Sequence, residues 1–150
     1  IRDMIAELRA AAQGDTGAYA LEKTDPQSLA WYANIDNDAQ KERVQYFVSS
    51  GTLWKSIVNP VGNPLTYATT TAQESLRAVL RDLVASTTAP TFSYYPETYA
   101  GTSSPFAAPF STSIVRHVRI TLIIDRDINR LPPPLIVSSE VNIRNLKDNY

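Results

Sequence analysis

The chain has no cysteine, which excludes disulfides, thiolate metal sites and a cysteine nucleophile while leaving the redox compartment open. It has one histidine, His117, so no site can draw two imidazoles from a single copy. Its five glycines form neither a Gly-x-Gly-x-x-Gly run nor a Gly-Lys-Ser/Thr run, and the usual phosphate cradles are therefore missing. Charge of one sign is also lacking: 14 Lys+Arg face 15 Asp+Glu for a net charge of −1, and no basic cluster stands out. Phosphate binding needs several cations on one face, so no nucleic-acid partner is expected. No apolar run reaches the ~18 residues that a membrane-spanning helix needs.

What is present describes one core-forming domain. The chain is 150 residues long, 43% hydrophobic and 19% charged, within the range of globular proteins. Ten prolines and eight tyrosines, with abundant Ser and Thr, point to a loop-rich β domain. Neither an internal repeat nor a domain boundary is visible, so residues 1–150 are read as a single unit.

The first segment, Ile1 to Gly14, reads as an amphipathic helix. Ile1, Met4, Ile5, Leu8, Ala11 and Ala12 share one stripe at about 100° per residue, with Arg2, Asp3, Glu7 and Arg9 off it. Gly14 is expected to stop the helix in a left-handed conformation. No capping residue precedes Ile1, and the pattern is in phase from the first residue. The expectation is a helix that continues upstream, with 1–13 as its C-terminal half.

The remainder alternates. Ser28–Ile35, Glu42–Val48 and Leu53–Val58 have strand composition and are joined by polar turns, as in an antiparallel meander. A second short helix is expected next: Thr71 and Glu74 have the capping-box spacing, and Leu76, Val79, Leu80, Leu83 and Val84 follow a helical period. Thr91–Tyr95 reads as a strand. The Pro/Ser/Thr-rich stretch from Pro96 to Thr112 is a long loop. Ile114–Asp125 sets Val118, Ile120, Leu122 and Ile124 against His117, Arg119 and Thr121. After the Pro132-Pro133-Pro134 connection a last strand sets Leu135, Val137, Val141 and Ile143 against Ile136, Glu140, Asn142 and Arg144. These two are expected to pair antiparallel. The fold class is α+β, an N-terminal helix packed on an antiparallel sheet, with 28–150 as the β-rich head.

Several segments carry a family resemblance: Ile1–Ala11, Glu42-Arg43-Val44-Gln45-Tyr46 followed by Gly51-Thr52-Leu53-Trp54, Phe92-Ser93-Tyr94-Tyr95, and Val118–Asp125 leading to Val141–Leu146. In their order and spacing the chain resembles the soluble part of a type IV pilin-like protein, nearest to J-type minor pseudopilins of type II secretion and PilW-type minor pilins. The resemblance implies a preprotein cleaved by a prepilin peptidase, with prepilin methylation and a hydrophobic helical half before Ile1. That half would anchor the subunit in the inner membrane of a bacterium and leave the head extracytoplasmic. The implied role is non-enzymatic: a structural minor subunit in protein transport or pilus assembly, joining other pilin-like subunits in a hetero-oligomeric filament through its N-terminal helix. The alternative keeps the fold and makes the chain a surface adhesion or DNA-uptake component that binds a ligand through its loops.

Few residues suggest chemistry. His117 lies opposite an apolar row, and no Gly-x-Ser-x-Gly accompanies it, so no catalytic residue is assigned. Asp36 with Asp38, and Asp125 with Asp127, have the alternating oxygens of calcium loops. The Gly and terminal Glu of an EF-hand are absent, and Asx turns account for both pairs. No metal or other cofactor is expected, calcium being the one candidate. Ile1, Met4, Ile5 and Leu8 are assigned to sheet packing or subunit contact, and Tyr99, Phe106 and Phe110 to contact with a partner.

Overall fold

A computed structural model describes residues 1–68, 74–86, 88–127 and 129–143. It is mostly β, with eight strands in two antiparallel sheets. The α+β expectation of a helix laid on one sheet is thereby overturned. The single α-helix among the described residues, α1, runs only Arg2–Arg9.

The first sheet has the order β1-β2-β3-β4-β5, formed by Leu21–Asp25, Ser28–Ala33, Glu42–Ser49, Thr52–Val58 and Glu74–Leu80. The second has the order β6-β7-β8, from Phe92–Tyr95, His117–Ile124 and Leu135–Asn142. Its strands sit where alternation places them, and β7 pairs with β8 in an unbroken register from His117↔Asn142 to Ile124↔Leu135. A short 3₁₀ turn, Thr112–Ile114, leads into β7. Arg144 and the resemblance residues Asn145 and Leu146 lie outside the described residues.

The meander is present and gains a strand that composition did not reveal. β1 pairs antiparallel with β2 across a tight turn at Pro26 and Gln27. β2 is buried on both faces: Leu29, Trp31 and Ala33 join the core, and on the other face the Tyr32 ring packs 4.8 Å from that of Tyr67. The two sheets meet where the Val84 amide donates to the Ile123 carbonyl, and again where the Phe92 amide donates to that of Pro26. One apolar core therefore serves both, including Met4, Ile5 and Leu8 from α1, Trp31, Val44 and Tyr46 from the first sheet, and Phe92, Val118, Ile120 and Val141 from the second.

The expected second helix is a strand. Glu74–Leu80 is β5, laid antiparallel on β4, and the predicted capping residue Thr71 lies outside the described residues. Leu76 and Val79, two of the five residues of the expected apolar stripe, are 52% and 42% exposed. A helix there would have had no surface to bury its stripe against, whereas the edge of β4 offers ladder bonds to every other residue.

The helix also ends sooner than expected. Its cap is Ala10, and the Ala12 amide has left the helix to donate to the Tyr32 carbonyl of β2. Gly14 does not adopt the expected left-handed turn. Its constraint is space, since a Cβ there would lie 3.0 Å from the Tyr32 ring. The left-handed residue in this segment is Gly17, with φ +82.

Candidate functional site

The most constrained polar arrangement lies where α1 meets the first sheet. Tyr46 on β3 and Lys55 on β4 are cross-strand partners, which places both side chains on one face, the core side. From α1, Glu7 reaches down to both. Lys55 Nζ donates to Glu7 Oε1 at 2.5 Å, and the Tyr46 hydroxyl donates to Glu7 Oε2 at 3.0 Å. The Lys55 side chain is 3% exposed and that of Glu7 19%. Lys55 also lies 5.5 Å from the Tyr46 ring centroid, and Trp31 stacks on that ring at 5.7 Å and 5°. Burial, and then the Glu7 carboxylate, push the Tyr46 hydroxyl far above the ordinary tyrosine range, so it stays protonated and donates. The helix is thus held by charge as well as by Met4, Ile5 and Leu8. Ile1, the fourth residue assigned to this stripe, is 37% exposed.

The sequence missed Glu7 because it lies off the apolar stripe. A signal was available in its partner: Lys55 shares a strand face with Leu53, and a lysine on the buried phase of a strand requires a buried acceptor.

The two calcium candidates fare differently. Asp36 and Asp38 are exposed, and the buried Glu42 joins them, the three offering carboxylate oxygens within 4.8 Å of one another. All three already accept backbone bonds: Asp36 from the Asp38 amide, Asp38 from that of Gln40, and Glu42 from that of Ile35. Burial, and more weakly the two aspartates, raise the Glu42 pKa. Asp125 and Asp127 form a turn ladder, accepting from the amides of Asp127 and Asn129, and no third acid joins them among the described residues. Ile128, between Asp127 and Asn129, lies outside the described residues.

Tyr99, Phe106 and Phe110 turn back onto the protein. Tyr99 stacks on the buried Tyr95 with centroids 4.0 Å apart, and its hydroxyl accepts a bond from Arg119. Phe106 and Phe110 lie 5.3 Å apart and pack against the core, with Phe110 5.5 Å from Tyr94. His117 faces away from the core row beside Tyr99, in the same strand phase as Arg119 and Thr121.

No family model matches the chain. No curated protein matches it either.

Two carboxylates make opposite contributions to acid stability. Lys41 holds Asp15, with an Nζ–Oδ1 distance of 2.6 Å, and lowers its pKa. That stability is full above the unfolded value of about 3.9 and is lost as pH falls through the lower folded value. Glu42, its pKa raised by burial, contributes stability that is full below about 4.3 and is lost as pH rises through its folded value. Glu42→Gln keeps an acceptor for the Ile35 amide and removes the buried charge. Its urea midpoint should exceed that of the parent at pH 7, with the difference shrinking toward pH 4, while Asp15→Asn should lose stability at pH 7 and flatten the acid limb. A Glu42→Gln difference independent of pH would refute the assignment.

Proposed function

We propose that this chain is a non-enzymatic structural subunit that assembles through its N-terminal helix, in the manner of minor pilin-like subunits of a secretion pseudopilus or pilus. The observation that carries the reading is the fastening of α1 to the β domain by Glu7, Lys55 and Tyr46. A helix held by buried apolar residues and a largely buried ion pair transmits force and orientation to the head it carries. Its other face, with Arg2, Asp3, Ala6 and Arg9, is exposed and open to neighbouring subunits. The order of the resemblance segments supports the same reading. Among the described residues no helix is long and apolar enough to cross a membrane, and a membrane-anchored, extracytoplasmic location belongs to the proposal. The internal packing of Tyr99, Phe106 and Phe110 speaks against the alternative of a ligand held by these loops.

The test is capture of pilin-like subunits from the same cell by the tagged chain. Capture is expected, and Arg2→Glu with Arg9→Glu should reduce it by at least about tenfold without altering the fold, because both lie on the open helix face. Failure to capture any such subunit counts against the reading.

A further inference from the structure

We propose that β8 is a docking edge for a second copy of this chain, the two β8 strands pairing antiparallel across a two-fold axis. The inference stands apart from the helix-borne assembly above.

A sheet edge invites pairing unless something blocks it. Two sheets have four edges, and three are blocked. β1 carries a register shift between Leu21 and Lys23 as well as the charges of Lys23 and Asp25. β5 carries a register shift opposite Leu53/Trp54 and the charges of Glu74 and Arg77. β6 is already engaged, since its Phe92 amide donates to Pro26 and its Tyr94 carbonyl accepts from Phe106. Over its first five residues β8 lacks these devices, with Pro134 directly before them and Glu140 directly after. Its register with β7 is continuous, and Leu135–Ser139 holds no charge, proline or glycine.

The direction of its free groups follows from one bond. The Ile143 amide donates to the Arg116 carbonyl, so odd-numbered residues of β8 face β7 and even-numbered ones face outward. The N–H and C=O of Ile136 and Ser138 therefore point away from the sheet, and neither residue has another backbone bond among the described residues. The side chains at this end are apolar and uncovered: Leu135 is 60% exposed and Ile136 64%. Beside them lies a cleft of about 570 Å³ in which Ile124, Leu131 and Pro133 share the wall with the charges of Asp125, Asp127 and Arg130.

The free groups select an extended strand as the occupant, and the side-chain order selects this one. A two-fold through Ile136 sets Ile136 against its own counterpart and Leu135 against Val137 of the second copy, apolar against apolar on both faces. In that register the Ile136 residues exchange both backbone bonds, and Ser138 donates to the Pro134 carbonyl of the other copy. Glu140, already paired with Arg119, falls outside the apolar contact. No charge is buried. The contact is small against the roughly 1,200–2,000 Å² of a standard interface, so the association is expected to be weak and concentration-dependent.

Sedimentation from about 10 μM to about 1 mM tests this, spanning the range of weak complexes. The mass should rise from that of one 16.6 kDa chain toward twice that value. Ile136→Lys should weaken association by at least about tenfold, because like charges would face each other at the axis. Ser138→Pro should do the same by deleting an outward N–H, while leaving the β7 ladder intact. Val79→Lys on the β5 edge should have no effect. Amide exchange of the unmodified chain gives a second readout that needs no variant: Ile136 and Ser138 should slow with concentration. A chain that stays monomeric throughout the range overturns the proposal. So does a dimer that survives both β8 changes, or one whose slowed amides lie on β5.

Discussion

Glu7→Ala should lower the unfolding free energy by about 3 kcal/mol, a large effect for one exposed-looking helix residue. The substitution leaves the Lys55 ammonium, 3% exposed, with no carboxylate beside it, and it strips the acceptor from the Tyr46 hydroxyl. Glu7→Gln keeps an acceptor while discarding the charge, and should lose about half as much. The reverse change, Lys55→Met, leaves Glu7 with Tyr46 and with solvent at its partly exposed side, so a loss of about 1 kcal/mol is expected. Urea denaturation measures all three. If Glu7→Ala lost less than Lys55→Met, the buried partner would have been misassigned.

Trp31→Ala should lose about 3–5 kcal/mol, the usual result of emptying a buried aromatic site. Trp31 is fully buried and stacks on Tyr46, so the cavity would open beside the Glu7 seat. Trp31→Phe separates two effects. Among the described residues, Trp31 Nε1 is the one buried side-chain polar atom without a hydrogen-bond partner. Phenylalanine gives up part of the ring volume and removes that unpaired donor, costs and gains of similar size. It should therefore fall within about 1 kcal/mol of the parent. Fluorescence of the remaining Trp54 can follow the unfolding. A Trp31→Phe loss as large as that of Trp31→Ala would mean that the indole N–H is bonded in solution.

The family resemblance led to a helix resting on one sheet, and the protein instead distributes its core between two. The expected second helix failed for a local reason. Leu76, Val79, Leu80 and Leu83 fall in helical phase, yet the segment contains no residue that forbids a strand. Between those two conformations the chain itself is nearly indifferent, and the open edge of β4 decided it. β1 was missed for a related reason: Leu21-Glu22-Lys23-Thr24-Asp25 is too polar to announce itself and becomes a strand because β2 needs a partner on that side.

Where its short-range signals agree with one another, sequence alone determined the element. Alternation and turn residues fixed β2 through β4 and the pairing of β7 with β8, and the phase of Met4, Ile5 and Leu8 fixed which side of the first segment is buried. Tertiary structure decided the contacts between distant segments: the bond from Lys55 to Glu7 across 48 residues, the space that makes Gly14 necessary beside Tyr32, and the exposure of the β8 edge. The physical reason is range. Periodicity records the direction in which a side chain points, and only the folded chain supplies what stands there to meet it.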